Sequence, residues 1–138
     1  MKILIADDDF TSRVLLQELL SDFGEVQTGV TGTEAVELFR RALNAGKPFQ
    51  FVCLDIMMPE ESGLEALARI RALEEAVGIR GLDRSRILMI TALDDSRTIM
   101  TAFREMCDGF VVKPLDPHAL FRQMADLGLT TAVPTPVR

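Results

Sequence analysis

Four apolar, strand-like runs in this chain each end on a polar residue that can bind phosphate or a metal ion. The runs and the residues that follow them are Ile3–Ala6 before Asp7-Asp8-Asp9, Phe51–Leu54 before Asp55, Ile87–Ile90 before Thr91, and Phe110–Val112 before Lys113. In an open parallel sheet, ligands bind at the carboxyl ends of the strands. If these runs are parallel strands, the four ends form a single site.

The residues at these ends suit phosphoryl chemistry. Several carboxylates in one cleft repel each other, so they must take up protons or bind a cation. Oxygen ligands favour Mg²⁺, which combines one or two carboxylates with phosphate oxygens and water. Asp55 is then a candidate nucleophile, because a carboxylate can attack phosphorus to give an aspartyl phosphate. Lys113 can neutralise developing charge, and the Thr91 hydroxyl can donate to a phosphoryl oxygen.

Strands and helices alternate five times along the chain, which predicts a doubly wound α/β fold with helices on both faces of a parallel sheet. The predicted strands cover residues 2–6, 25–30, 50–54, 86–90 and 109–112. The expected strand order is 2-1-3-4-5, the flavodoxin-like order. Strands 1 and 3 are neighbours in that order. The acidic triplet that starts at Asp7 should therefore lie beside Asp55.

Polar capping residues mark the predicted helix starts. A first helix is expected over about 11–22, with Val14, Leu15, Leu19 and Phe23 on one apolar stripe. The other predicted helices and their caps are a capping box at Thr31 and Glu34, a second box at Ser62 and Glu65, Asp94 or Asp95 before a helix running to about Met106, and Asp116 before Pro117.

Composition excludes several classes of protein. The net charge of −6 argues against a nucleic-acid surface, which needs a basic patch. No apolar stretch approaches the roughly 20 residues of a membrane span. Cys53 and Cys107 lie in or beside apolar runs, so we expect buried, reduced thiols and a cytoplasmic protein. We expect one domain over 1–128, a flexible tail or linker start over 129–138, and a natural start at Met1 that favours a stand-alone protein.

The set Asp7-Asp8, Asp55, Thr91-Ala92 and Lys113-Pro114 resembles the receiver domain of bacterial two-component response regulators. Met58-Pro59 and Ser62-Gly63 agree with that family's local pattern, and the resemblance covers about residues 1–128. It implies a phosphoprotein, not a metabolic enzyme, whose Asp55 accepts phosphate from a histidine kinase or a histidine phosphotransfer protein.

The resemblance also implies roles for the other site residues. Asp8 would contact Mg²⁺ directly and Asp7 through water, while Asp55 and the backbone carbonyl of Met57 would complete the protein ligands. Thr91 and Phe110 would form a switch pair. Their movement would change the surface of helix 4, strand 5 and helix 5, where a downstream protein binds. Weak self-catalysed phosphorylation and dephosphorylation are implied as well, and a phosphorylation-dependent homodimer is compatible with the pattern.

The chain departs from the family pattern at three places. Met106-Cys107 replaces a Gly-Ala pair before strand 5, and losing a glycine from a left-handed position would cost about 1 kcal/mol. Phe110 lacks the hydroxyl of the tyrosine found at many switch positions. Met57 and Leu93, which flank the phosphate site in the family, are both apolar. We therefore predict little assistance to an attacking water and a long-lived phosphorylated form.

Two alternatives belong to other classes. Asp7-Asp8-Asp9-Phe10-Thr11 also resembles the nucleophile motif of haloacid-dehalogenase-type phosphatases, with Asp7 as nucleophile and Asp9 as acid/base. That family places an acidic pair after the lysine, where this chain has only Asp116, and the motif leaves Asp55 without a role. A receiver fold that acts only as a binding module is the other alternative, which the intact set of site residues does not favour.

Overall fold

Five short apolar segments form the central sheet in a computed structural model, which describes residues 1–92 and 96–130. In chain order the elements are β1 (Lys2–Ala6), α1 (Phe10–Leu20), β2 (Glu25–Gly29), α2 (Gly32–Asn44), β3 (Phe51–Asp55), α3 (Gly63–Ala76), a short 3-10 helix (Gly81–Asp83), β4 (Arg86–Thr91), α4 (Ser96–Arg104), β5 (Gly109–Val112) and α5 (Pro117–Asp126). Within the described ranges, no helix is both long and apolar enough to cross a bilayer.

The sheet has the predicted order, β2-β1-β3-β4-β5, and all four strand pairings are parallel. Side chains alternate between its two faces, since successive residues of a strand point to opposite sides. Ile3 and Ile5 pack with Leu16 and Leu20 of α1 and with residues of α5. Residues of α2, α3 and α4 cover the other face. The predicted doubly wound α/β fold is confirmed.

The apolar stripe predicted for α1 is only partly right. Leu16 and Leu20 are fully buried, whereas Val14, Leu15, Leu19 and Phe23 are half-buried. Of these four, Leu19 and Phe23 pack against the core beneath α1. Four leucines at 15, 16, 19 and 20 give two overlapping stripes at helical spacing. Periodicity cannot choose between two such stripes, and packing against the sheet selects the second.

The two predicted capping boxes also differ. The box at Ser62 forms completely: the Ser62 hydroxyl accepts from Glu65 N–H, and the Glu65 carboxylate accepts from Ser62 N–H. At the start of α2, Thr31 Oγ1 accepts from Glu34 N–H as predicted. The Glu34 carboxylate, however, accepts from Val30 N–H at 3.2 Å, so only half of this box forms.

Helix α4 ends at Arg104, two residues before the predicted end, because Met106 adopts φ +74°. Met106 N–H donates to the Phe103 carbonyl and Cys107 N–H to the Ala102 carbonyl, which is the Schellman pattern of helix ends. Met106 stands where the family pattern described above has glycine, and the backbone of Met106 is left-handed here. The predicted caps Asp94 and Asp95 and most of the predicted tail, residues 131–138, lie outside the described residues.

Ionic contacts, largely buried, join α3 to the end of the sheet where β4 and β5 begin. The Arg71 guanidinium on α3 donates to the Glu74 carboxylate, to the Ser85 and Met106 carbonyls and to the Asp108 carboxylate, at 2.7 to 2.9 Å. Arg71 and Glu74 are buried, and the partners come from three separate segments of the chain. Arg71 therefore ties α3 to the starts of β4 and β5.

Candidate functional site

The strand register brings the four polar strand ends to one edge of the sheet. Ala6 pairs with Leu54, so the next residue of each strand, Asp7 and Asp55, lie side by side. On the other side of β3, Asp55 pairs with Ile90, which precedes Thr91. Thr91 in turn pairs with Val112, the residue before Lys113. The structure thus assembles the predicted cluster from segments that are far apart in sequence.

The carboxylates of Asp7, Asp8 and Asp55 form a set of oxygen donors suited to a hard cation. One oxygen from each lies within 4.8 Å of the others. Asp7 is fully buried, Asp55 is 4% exposed and Asp8 is exposed to solvent. Within the described part of the chain, no donor is aligned on the buried Asp7 Oδ2, and leaving such an atom without a hydrogen bond is costly. A divalent cation such as Mg²⁺ fits this donor set.

Backbone N–H groups orient the two buried carboxylates, and Arg13 holds the backbone of Asp7. Asp9 N–H donates to Asp7 Oδ1 at 2.9 Å, and Met57 N–H donates to Asp55 Oδ1 at 3.2 Å. The Arg13 guanidinium donates to the Asp7 carbonyl oxygen at 2.9 Å. These contacts leave Asp55 Oδ2 directed toward Lys113.

Lys113 supplies the positive charge of the site. Its Nζ atom lies 3.2 Å from Asp55 Oδ2, 3.3 Å from Asp7 Oδ1 and 3.2 Å from Asp7 Oδ2. The last distance is an ion-pair contact without hydrogen-bond alignment. Burial opposes the charge of the ammonium, but the carboxylates of Asp55 and Asp7 outweigh burial and raise the pKa of Lys113. The lysine is thus protonated and set between the two acids.

Asp55 carries the perturbed titration expected of a crowded carboxylate. Burial, and then the negative charge and hydrogen bond of Asp7, raise its pKa to about 6, against the opposing effect of Lys113. Strongly shifted carboxyl groups in a cleft with specific charge partners are typical of functional sites. A cation bound at these oxygens would favour the charged, nucleophilic form of Asp55.

Thr91 and Phe110 occupy the strands beside the acidic cluster. Thr91 is buried at the end of β4, and its carbonyl accepts from Lys113 N–H at 2.6 Å. Phe110 pairs with Met89 in the sheet and is half-buried. Its ring forms an edge-to-face contact with the Phe103 ring, with centroids 6.0 Å apart and planes at 86°. Sequence analysis did not identify Phe103, since a phenylalanine on an exposed helix carries no local signal of a contact with β5.

Asp9 has a local structural role that the sequence analysis missed. Its carboxylate caps α1, accepting from Ser12 N–H at 3.3 Å and from the Ser12 hydroxyl at 2.7 Å. The hydrogen bond from the Ser12 hydroxyl lowers the pKa of Asp9. A general acid needs the opposite shift, so this geometry disfavours the acid/base role that the phosphatase alternative gives to Asp9. An aspartate directly before an apolar helical segment could have indicated the cap.

Gly63 allows α3 to begin against the backbone of Asp55. A Cβ atom at position 63 would lie 2.1 Å from the Asp55 carbonyl oxygen, a distance that no side chain could occupy. The Gly63 N–H donates to the Ile56 carbonyl at 2.9 Å. The Ser62-Gly63 pair thus sets the path of the chain after the acidic strand end.

The family model for the response regulator receiver domain matches residues 3–125. The chain belongs to this family. It is 33% identical over 116 residues to the chemotaxis protein CheY of Listeria monocytogenes, covering 83% of this chain and 87% of that protein. It is 35% identical over 122 residues to CheY-3 of Vibrio cholerae, covering 87% of this chain and 85% of that protein.

A solved structure shows the same fold. The receiver domain of the histidine kinase CKI1 from Arabidopsis thaliana, complexed with Mg²⁺ and BeF₃⁻, superposes with a TM-score of 0.78 at 26% identity, covering 94% of this chain and 90% of that chain. The protein is a receiver domain of two-component signalling and acts as a phosphoryl-accepting switch. These comparisons give no support to the haloacid-dehalogenase alternative.

Proposed function

We propose that Asp55 is the residue of this receiver domain that accepts the phosphoryl group. The observation that carries the proposal is the position of Lys113 Nζ, 3.2 Å from Asp55 Oδ2 at the edge where Asp7 and Asp8 also lie. Asp55 is the last residue of a fully buried strand, so its carboxylate is held by the sheet. Phosphoryl transfer depends mainly on positioning and charge neutralisation, which this arrangement supplies.

The transfer is a displacement at phosphorus. An Asp55 carboxylate oxygen forms the new bond to phosphorus while the bond between phosphorus and the donor's histidine nitrogen breaks, and that nitrogen keeps the electron pair. Lys113 stabilises the negative charge of the transferred group, and Thr91 donates its hydroxyl to a phosphoryl oxygen. Asp55, Thr91 and Lys113 are thus the catalytic residues. The donor is a histidine kinase or a histidine phosphotransfer protein.

Mg²⁺ is the proposed cofactor, held by Asp7, Asp8, Asp55 and the backbone carbonyl of Met57. The buried Asp7 Oδ2, which accepts no aligned hydrogen bond within the described residues, and the clustered carboxylates support this assignment. When bound, a magnesium ion neutralises phosphoryl oxygens and favours the charged form of the acids. The Mg²⁺ and BeF₃⁻ complex of the CKI1 receiver domain is a related case.

Loss of phosphate is proposed to be weakly self-catalysed and slow. The Met57 side chain is exposed and apolar, so it offers no hydrogen-bonding group to orient a water for attack at phosphorus. Leu93, the other apolar position of this prediction, lies outside the described residues. Both residues would leave the phosphorylated form long-lived.

Phosphorylation is proposed to act through Thr91 and Phe110 on the surface of α4, β5 and α5. Three large apolar side chains on this surface, Met100, Phe103 and Val112, are 38–63% exposed. Such a surface suits a downstream protein target or a homodimer that forms on phosphorylation. Cys53 and Cys107 are buried, unpaired thiols, which supports a cytoplasmic setting. We place the end of the receiver domain near residue 128, just beyond α5.

Site mapping of a labelled phosphoryl group tests the proposal. The protein is incubated with Mg²⁺ and a small-molecule phosphodonor such as acetyl phosphate, and the modified residue is located by mass spectrometry. We expect modification of Asp55 and none in Asp55→Asn. Asp9→Asn, which keeps the helix cap, should be modified as the wild type is. Modification at Asp7, or loss of modification in Asp9→Asn, would instead support the phosphatase arrangement.

A further inference from the structure

Phe103, in the last turn of α4, contacts the side chain that the proposed switch has to move. The rings of Phe103 and Phe110 lie edge-to-face, with a centroid distance of 6.0 Å and an interplanar angle of 86°. Edge-to-face pairs of this kind are more stable than the area they bury would suggest. Any movement of the Phe110 ring must therefore break or rebuild this contact.

Hydrogen bonds in the turn between α4 and β5 fix the backbone that connects Phe103 to Phe110. The Schellman closure places the Met106 and Cys107 N–H groups on the carbonyls of Phe103 and Ala102, both at 3.0 Å. The Met106 carbonyl accepts from Arg71 Nε at 2.9 Å, and Arg71 is itself buried. The backbone that carries Phe103 is consequently tied to α3 as well as to β5.

The contact with Phe103 is made near the protein surface. Phe103 is 46% exposed and Phe110 is half-buried. Phe110 also packs against the core on the α4 face of the sheet, so the contact favours this position beside Phe103 over a ring turned toward Asp55. A group that stabilises one of two ring positions shifts the population of both.

We infer that Phe103 is a positioning residue for the switch, holding the Phe110 ring against α4 by the aromatic contact and opposing the inward turn on phosphorylation that the resemblance to receiver domains implies. This inference rests on the proposed function, because it takes Phe110 to move with Thr91. Coupling is reciprocal: a contact that disfavours the inward ring must also weaken binding of a phosphoryl group at Asp55. Phe103 thus raises the free energy that phosphorylation must supply to move the Phe110 ring.

The test combines a measurement on the ring with a measurement on the site. The Phe110 resonances of ring-labelled protein are assigned by comparison with Phe110→Leu, and beryllium fluoride with Mg²⁺ is titrated as the phosphoryl analogue. In Phe103→Ala we expect the ratio of inward to outward Phe110 rings to rise by about two- to ten-fold. The beryllium fluoride concentration at the titration midpoint should fall by a similar factor. Phe103→Tyr, which keeps the ring edge, should restore both values.

Matched variants separate this contact from a general effect on α4. Arg104→Gln changes an exposed neighbour of Phe103 in the same turn of α4 and should change neither measurement. Phe103→Leu keeps an apolar side chain without the ring and should behave as Phe103→Ala does. Unchanged ring populations in Phe103→Ala, or a weaker beryllium fluoride interaction, would overturn the inference. Wild-type protein that fails to bind beryllium fluoride would refute the proposed function instead, since the ring measurement does not need the ligand.

Discussion

The acidic cluster should lower the stability of the fold, and Asp55→Asn should recover part of what is lost. The substitution keeps the shape of the side chain and removes one of the crowded negative charges. Burial and the neighbouring Asp7 raise the pKa of Asp55 from 3.8 to about 6. A folded-state pKa above the unfolded value means that the folded protein holds a proton which the unfolded chain has already released. Stability therefore falls as the pH rises between about 4 and 6.

The size of the effect follows from the change in pKa. Each pKa unit corresponds to about 1.4 kcal/mol, so the rise to about 6 corresponds to at most about 3 kcal/mol above that pH. The site is open to solvent at the exposed Asp8, which screens part of the repulsion. Asp55→Asn also removes one of the two carboxylates beside Lys113. We expect the variant to be more stable than the wild type by about 1 to 2 kcal/mol near pH 7.5 without divalent cations.

Urea unfolding at several pH values measures this difference directly. The gap between Asp55→Asn and the wild type should narrow as the pH falls toward about 4, because Asp55 then takes up its proton in the folded protein. Millimolar Mg²⁺ should stabilise the wild type more than the variant. The control is Asp22→Asn, which changes the same charge at an exposed position. A variant no more stable than the wild type, or a gap independent of pH, would refute the reasoning.

Four further substitutions test other parts of the structure. Arg71→Met leaves the buried Glu74 carboxylate and the half-buried Asp108 carboxylate without their cation, so the free energy of unfolding measured in urea should fall by about 3 to 5 kcal/mol. Arg40→Met, at an exposed ion pair, should leave the free energy of unfolding almost unchanged. Met106→Gly should raise the free energy of unfolding by about 1 kcal/mol, since glycine adopts φ +74° without strain; a lower melting temperature would contradict this. In Gly63→Ala the added Cβ meets the Asp55 carbonyl, so the free energy of unfolding should fall by about 1 to 3 kcal/mol. The rate of phosphorylation by acetyl phosphate should fall as well. Met57→Asn should change the rate of phosphate loss several-fold by giving water a hydrogen-bonding partner; an unchanged rate of release of labelled phosphate would rule out a role for this side chain.

Local sequence patterns located the secondary structure but not all of its contacts. The Ser62 and Glu65 pattern predicts a capping box that forms in full, and the same pattern at Thr31 and Glu34 forms only half. The difference lies in the backbone that enters the helix, which brings Val30 N–H to the Glu34 carboxylate. A four-residue pattern identifies a helix start, but the path of the incoming chain decides which N–H groups the side chains reach.

Contacts between distant segments were beyond the reach of such patterns. The partners of Arg71 include Met106 and Asp108, which are 35 and 37 residues away. No local pattern around Arg71 predicts these contacts. Phe103 and Phe110 are only seven residues apart in sequence, but the contact between their rings depends on the left-handed turn at Met106. Sequence analysis gave Asp9 a role only as the acid/base of the phosphatase alternative, whereas its role as a helix cap depends on the start of α1.

The sequence alone determined the elements and the place of the site. Alternating strands and helices imply a parallel sheet, and parallel strands end at a common edge, so Asp7, Asp55 and Lys113 could be assigned to one site without coordinates. Only the tertiary structure decided the electrostatics of that site. Lys113 meets Asp7 and Asp55 across 106 and 58 residues of chain, and the pKa of Asp55 depends on those distances and on burial. Coulomb energies and desolvation vary with separation in space, which the order of residues along the chain does not specify.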